Sequence, residues 1–232
     1  MTAPLPLQGI SSMATRQLLA ELATQWQAGG GMPVAIESIG GVEAARRVEA
    51  SQAPYDVVFL AADAIERLIA AGRVLPGSRV DLVRSSTAVA VPAGSAEPDI
   101  GSEAALRAAV LAAPSIGYST GPSGVALQKQ FERWGIAQEI APRIVQAQPG
   151  VPVGSLVAQG QVALGFQQLS ELIHLDGIRI VGNLPAPVQI DTIFSAGIVA
   201  GSAHADTVRQ LLAFMASPDS ADAKRRQGME PA

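Results

Sequence analysis

The sequence predicts an α/β protein of two doubly wound lobes, joined by two crossing strands, with a cleft between the lobes. Three observations carry this prediction. Short β-rich apolar runs alternate with longer amphipathic runs, the pattern of strand–helix units around parallel sheets. Two longer β-like runs, Thr87–Val91 and Val188–Ala200, flank a middle segment built from the same units. Neither an internal repeat nor a low-complexity linker separates the segments, so two crossing strands make the connection. The expected first lobe is discontinuous, residues 1–84 plus 195–232, and the second holds 85–194.

Each element follows from local pattern. Leu7–Ile10 reads as a strand. Met13–Gln27 reads as a helix, with Leu18, Leu19, Leu22 and Trp26 at helical spacing. Ser12 is its expected N-cap, and Gly29-Gly30-Gly31 ends it. Val34–Glu37 is a strand, and Gly40-Gly41 leads into a helix over Val42–Ala50. Asp56–Ala61 (DVVFLA) has the composition of a buried parallel strand. Ala64–Ala71 is a helix closed by Gly72. In the middle segment, strands are expected at Ser115–Tyr118, Ile144–Ala147, Ala163–Phe166 and Ile178–Val181. Helices are expected at Ala104–Ala112, Gly124–Trp134, Val153–Gln159 and Leu169–Leu175. A last helix covers Ala205–Ser217, and Met229–Ala232 reads as loop.

Composition narrows the function. The 232 residues are 48% hydrophobic, enough for sizeable cores. A net charge of −4 argues against a nucleic-acid partner, which needs an excess of Lys and Arg. The chain has no cysteine and two histidines, which excludes disulfides, thiol nucleophiles and Cys- or His-rich metal sites. No cofactor is expected. No apolar run reaches the roughly 18 residues of a membrane span, so no membrane insertion is expected. The start, Met1-Thr2-Ala3-Pro4, has neither a basic nor an apolar leader region. A cytoplasmic protein and a secreted one whose signal peptide has been removed both fit that start.

In open α/β sheets, ligands sit beyond the carboxyl ends of the strands, beside helix N-termini. Four turns qualify: Ser11-Ser12; Ser38-Ile39-Gly40-Gly41; Ser119-Thr120-Gly121-Pro122-Ser123-Gly124; and Pro149-Gly150-Val151-Pro152-Val153. Serine and threonine hydroxyls, and backbone N–H groups that glycine lets a ligand approach, suit an anion. The plainer reading of each serine is a helix cap, and of Gly40-Gly41 a turn. Recurrence of the turns in both halves favours a ligand.

These residues also carry a resemblance. Leu7–Leu19 (LQGISSMATRQLL), Asp56–Ala62 (DVVFLAA) and Gly160–Gln168 (GQVALGFQQ) make the chain similar to type II periplasmic solute-binding proteins, in particular the molybdate-binding proteins of ABC transporters. The resemblance implies a periplasmic protein that takes up a small anionic solute and passes it to an ABC permease. Carried over by position, the oxyanion-binding serine of the first loop falls at Ser12 or Ser11, and that of the second at Ser38. The backbone donor after the third strand falls at Ala61 or Ala62. The middle-lobe donors fall near Pro122-Ser123 and at Val151 to Val153. A tyrosine that usually ends the GxVY-like strand is replaced by Gln168, preceded by Gln167, which points to a larger and more polar solute. Ser115–Leu127, Gly165–Leu172 and Gln227–Ala232 also resemble an aconitate isomerase branch built on the same scaffold, which shifts a proton along an allylic carboxylate.

Two functions therefore stand side by side, reversible binding of an oxyanion or a di- or tricarboxylate, and isomerisation of an unsaturated polycarboxylate. An isomerase needs a proton acceptor and donor. Glu37 and Tyr118 are the candidates, each at a strand end, with an exposed carboxylate and a core ring as their plainer readings. A polycarboxylate also needs a countercharge. Arg84, before the first crossing strand, and Arg16, one turn into the first helix, are placed to offer a guanidinium.

Overall fold

The computed structural model describes residues 5–51, 53–148 and 150–232. In chain order the strands are β1 (Leu7–Ser12), β2 (Val34–Ile39), β3 (Val57–Ala61), β4 (Val80–Pro92), β5 (Ile116–Tyr118), β6 (Ile144–Gln146), β7 (Leu164–Gln168), β8 (Ile178–Asn183), β9 (Asp191–Ile198) and β10 (Met229–Pro231). The α-helices are α1 (Arg16–Ala28), α2 (Gly41–Glu49), α3 (Ala62–Ala70), α4 (Glu103–Ala112), α5 (Pro122–Arg133), α6 (Ala137–Ile140), α7 (Val153–Ala158), α8 (Leu169–Leu172), α9 (Ala205–Ala216) and α10 (Ala221–Arg226). The chain divides into two compact units, Met1–Arg84 with Ile193–Ala232, and Ser85–Thr192.

In the first unit β1 lies between β2 and β3, parallel to both, and β9 adds antiparallel to β3. The sheet is buried on both faces. Val57 and Phe59 of β3 join Leu18, Leu19 and Leu22 of α1 and Leu211 and Met215 of α9. The alternate residues Val58 and Leu60 turn the other way, against Ala44 and Val48 of α2 and Ile65 and Leu68 of α3. That two-sided burial explains why β3 reads as a continuous apolar run. Each such side chain contributes roughly 1.5–3 kcal/mol when fully buried.

In the second unit β5 is parallel to β6 and β7, while β4 runs antiparallel to β7 and β8. One core gathers Val89, Leu106, Val110, Phe131 and Phe166, with the Phe131 ring 6.2 Å from Tyr118 and 6.3 Å from Phe166. On the other face Val153 and Val157 of α7 pack with Val162. This helix lies tightly on the strands: a Cβ at Gly165 would fall 2.5 Å from Val157 Cγ2, and one at Gly117 would fall 3.1 Å from Val153 Cγ1. Glycine at both positions is what lets α7 approach.

Several boundaries differ from expectation. β4 begins seven residues before the expected Thr87, at Val80, and β9 is shorter than the expected Val188–Ala200. The tail is not loop. Met229–Pro231 forms β10 on β4, Met229 is buried, and the Ala232 N–H donates to Leu82 O at 3.3 Å. The helical turns of α6 and α10 also had no clear apolar period of their own.

Candidate functional site

β1, β2 and β3 run in parallel, so their carboxyl ends lie side by side, and each passes directly into a helical segment. A short 3-10 turn, Met13–Thr15, separates β1 from α1. None of the three junctions has a side-chain cap: Ser12, Gly40 and Ala61 occupy the cap positions without a capping hydrogen bond. The expectation that Ser12 caps the helix is therefore corrected. Its hydroxyl is buried, with the residue 6% exposed, and has no hydrogen-bond partner among the described residues. A tight 3-10 turn in place of a regular first α-turn removes the usual capping geometry.

Ser11 and Ser38 are register partners, and their hydroxyls lie 2.7 Å apart. One hydroxyl proton is used between them and the other remains to be donated. Gly41 closes in from α2: a Cβ there would sit 3.4 Å from Ser12 Cβ. Ala62 is the first residue of α3. Arg16, exposed at the start of α1, borders a surface groove of about 490 Å³ that also reaches Ser38. The structure thus gathers Ser11, Ser12, Ser38, Gly40, Gly41 and Ala62 at the junctions of one sheet. Arg84, the last residue of the unit's first segment, is exposed on β4.

Glu37 stands apart from Ser38. Successive strand residues point to opposite faces, and the Glu37 carboxylate accepts from Arg47 Nη1 at 2.8 Å and from the Tyr55 hydroxyl at 3.0 Å. Those contacts tie β2 to α2 and to the segment before β3. Tyr118 is 4% exposed, with its ring edge-on to Phe131 in the second core. Neither residue adjoins the Ser11–Ser38 pair through a hydrogen bond among the described residues.

In the second unit, Ser119 leads into α5. The Gly121 N–H donates to Ser119 Oγ at 3.3 Å, and Thr120 is half-buried. Gly124 is indispensable to this turn, because a Cβ would lie only 1.7 Å from Ser119 O. Ser123, the second residue of α5, is 5% exposed. Its side chain has no hydrogen-bond partner among the described residues. Pro149 of the fourth turn lies outside the described residues. Val151 is exposed, whereas Val153 opens α7 and is fully buried.

The adjacent glutamines part company. Gln167 Oε1 accepts from the Gly154 N–H of α7 at 2.9 Å, and its Nε2 donates to Glu171 of α8 at 2.8 Å. Gln168 faces the other way, and its Nε2 donates to Thr192 Oγ1 at 2.8 Å. Expecting both amides at one ligand overlooked the strand's period of two. Glu171 was not anticipated. Burial pushes its carboxyl up to about 7, against the lowering effect of the Gln167 donor. Ser85, Thr87 and Thr192 were also missed, although the hydroxyl run Ser85-Ser86-Thr87 directly before the apolar stretch Ala88–Val91 signals the first two.

No helix of the described residues is long and apolar enough to cross a membrane. The family model for bacterial extracellular solute-binding proteins matches residues 7–230. An aconitate isomerase from Pseudomonas sp. is 40% identical over 179 residues, covering 77% of this chain and 68% of that protein. The periplasmic molybdate-binding protein of Azotobacter vinelandii superposes with a TM-score of 0.78 at 25% identity, over 96% of this chain and 98% of that one. The sulfate-binding protein SubI from Mycobacterium tuberculosis H37Rv gives 0.79 at 15% identity, over 99% and 88%, a likeness of fold alone. With the family match spanning nearly the whole described chain, the protein belongs to the bacterial extracellular solute-binding proteins.

Proposed function

We propose that this protein binds a small anion reversibly through neutral donors, as the cargo-binding component for a membrane permease, on the periplasmic side. The observation that carries the reading is the Ser12 hydroxyl, buried and unpartnered where three parallel strands run into uncapped helical turns. A buried hydroxyl without a partner costs about 1–3 kcal/mol, and an anion removes that cost by accepting from it. The spare proton of the Ser11–Ser38 pair and the first N–H groups of α2 and α3 supply further donors. Helix ends carry partial positive charge, so these donors favour an anion over a neutral solute. Ala62, Gly40 and Gly41 contribute backbone. In the second unit Ser119, Thr120, Ser123, Gly124, Val151, Val153 and Gln168 are the proposed donors. Gln167 acts by holding α7 in place.

The second reading is isomerisation of an unsaturated polycarboxylate, and it is favoured by the 40% identity to an aconitate isomerase. Such a reaction removes a proton from one carbon and returns one two carbons away. Glu37 is held by Arg47 and Tyr55, and Tyr118 is packed in a core, so neither is free of structural duty. Burial also raises the Glu171 carboxyl to about 7, but it is bonded to Gln167, which points away from Gln168 across the strand, so it too has a structural partner.

A thermal-shift screen with molybdate, tungstate, sulfate, phosphate, citrate and both aconitate isomers tests the first reading. Stabilisation by at least one anion is expected, and no shift with any of them defeats it. Incubation with trans-aconitate, followed by proton NMR, tests the second: appearance of the cis isomer establishes an enzyme, and an unchanged spectrum with a bound ligand leaves a carrier.

A further inference from the structure

The second unit buries polar groups that its own packing leaves unsatisfied. Ser85 and Thr87 of β4 are 0% exposed, and neither hydroxyl has a partner among the described residues. Gln168 of β7 is 3% exposed, and its Oε1 also has none. These atoms belong to one cluster. Thr87 and Gln168 are directly opposed across the β4–β7 pair, so their side chains leave the same face. Ser85, two residues before Thr87, shares that face by the strand's alternation. Thr192 completes the group through its bond from Gln168. All four residues lie within Ser85–Thr192.

Three unpaired polar atoms on one strand face are costly. Further along the same face, Val89 and Val91 show what packing alone selects there. A Gln side chain presents nearly the same shape with its amide turned over. In that orientation the Thr192 hydroxyl donates to Gln168 Oε1, and the Gln168 NH2 takes the unpartnered place. Two hydroxyl protons and an amide proton then face a single region, and all three need an acceptor.

We propose that Ser85, Thr87, Gln168 and Thr192 form a carboxylate subsite of neutral donors. A carboxylate accepts only, through two oxygens with about four lone-pair positions, so it can take all three donors at once. None of the four residues is charged, and their strand positions bring no long helix N-terminus to bear. Such a cradle suits one negative charge spread over two oxygens better than a compact dianion. The proposal rests on the anion-binding reading and narrows it to organic acids. It adds Ser85, Thr87 and Thr192 to the residues that set specificity.

The test is calorimetric titration of wild type, Thr87→Val, Ser85→Ala and Ser12→Ala with citrate, cis- and trans-aconitate, molybdate and sulfate, beside thermal unfolding of each unliganded protein. The wild type is expected to bind a polycarboxylate. Thr87→Val and Ser85→Ala are each expected to weaken that binding roughly tenfold or more, as for a hydrogen bond to a charged group. Their unliganded melting temperatures should hold or rise, because each loses an unsatisfied buried hydroxyl. Unchanged carboxylate affinity in both variants overturns the subsite, and a lowered unliganded melting temperature alongside it identifies the cluster's occupant as a structural water. Wild-type binding of oxyanions alone overturns it as well. Weakening by Ser12→Ala, with Thr87→Val and Ser85→Ala at full affinity, leaves anion binding standing and removes this inference. A wild type that binds none of the probes removes both. Should Thr87→Val fail to fold, Ser85→Ala gives the same reading.

Discussion

The Ser11 and Ser38 hydroxyls, 2.7 Å apart, latch the carboxyl ends of β1 and β2 together and leave Ser12, next in line, without a partner. On the proposed anion-binding reading, the neighbouring serines have different work, one holding the loop and the other donating to the solute. Ser12→Ala is expected to lower anion affinity by about 1.5–3 kcal/mol with little change in melting temperature. Ser11→Ala is expected to lower the melting temperature, because it leaves Ser38 without its partner. Titration calorimetry and thermal unfolding of both variants check the division. Equal effects on affinity and stability in the two variants would contradict it.

Glu171 gives stability a pH dependence. Its carboxyl ordinarily loses its proton near 4.5, but in the folded protein it does so near 7. Between those values the folded state holds a proton that the unfolded state has lost, so stability falls as pH rises. The contribution is fully present below about 4.5 and gone above about 7. Glu171→Gln should flatten that part of the profile and raise the melting temperature at pH 8 relative to wild type. Denaturant unfolding from pH 4 to pH 8 measures both, and an identical slope in the variant would refute the assignment.

Gly124 admits no side chain. Its Cβ would fall 1.7 Å from Ser119 O, so Gly124→Ala forces the Ser119–Ser123 turn out of place. A destabilisation of about 1–3 kcal/mol is expected, as for other overpacked sites, together with weaker anion binding. Denaturant unfolding and titration read the two effects. Wild-type values for both would mean that the turn has room the geometry denies it.

Burial of a polycarboxylate among neutral donors leaves net charge to offset. Arg84→Ala is expected to lower polycarboxylate affinity by about 1.5–3 kcal/mol, and Arg84→Lys to restore it only in part, because an ammonium lacks the planar two-point contact. Arg16→Ala serves as the comparison, since Arg16 borders the groove at Ser38. Full affinity in Arg84→Ala, with loss in Arg16→Ala, would move the countercharge to the first helix.

Much of this architecture was legible in the chain. β3 announces itself through five apolar residues in a row, because both of its faces are covered. The position of Ser12 at a strand–helix junction was equally plain. That its hydroxyl is free was not, because capping depends on whether the next turn is α or 3-10, a difference of backbone angle that residue identity does not dictate. Gln167 and Gln168 looked like one polar pair until the strand's pleat sent them to opposite faces. The hydroxyls of Ser85 and Thr87 drew less notice than the charge beside them at Arg84. β10 was illegible for another reason: its partner, β4, lies far off in the sequence, and three residues hold no period of their own.

The late arrival of β9 shapes how the chain is made. β3 and its antiparallel neighbour are separated by the whole of Ser85–Thr192. As the chain leaves the ribosome, β1, β2 and β3 emerge early, but the far edge of β3 stays open while about 130 more residues are added, on the order of ten seconds of synthesis. The second unit is continuous, so all of it has been synthesised before Ile193 is added. The oldest segment thus waits for the youngest, with the apolar run Val57–Ala61 on an uncovered edge. Such an edge invites pairing with other chains. A nascent chain stalled before Ile193 would carry the whole middle segment on an unfinished sheet, with the β3 edge open to chaperones and proteases.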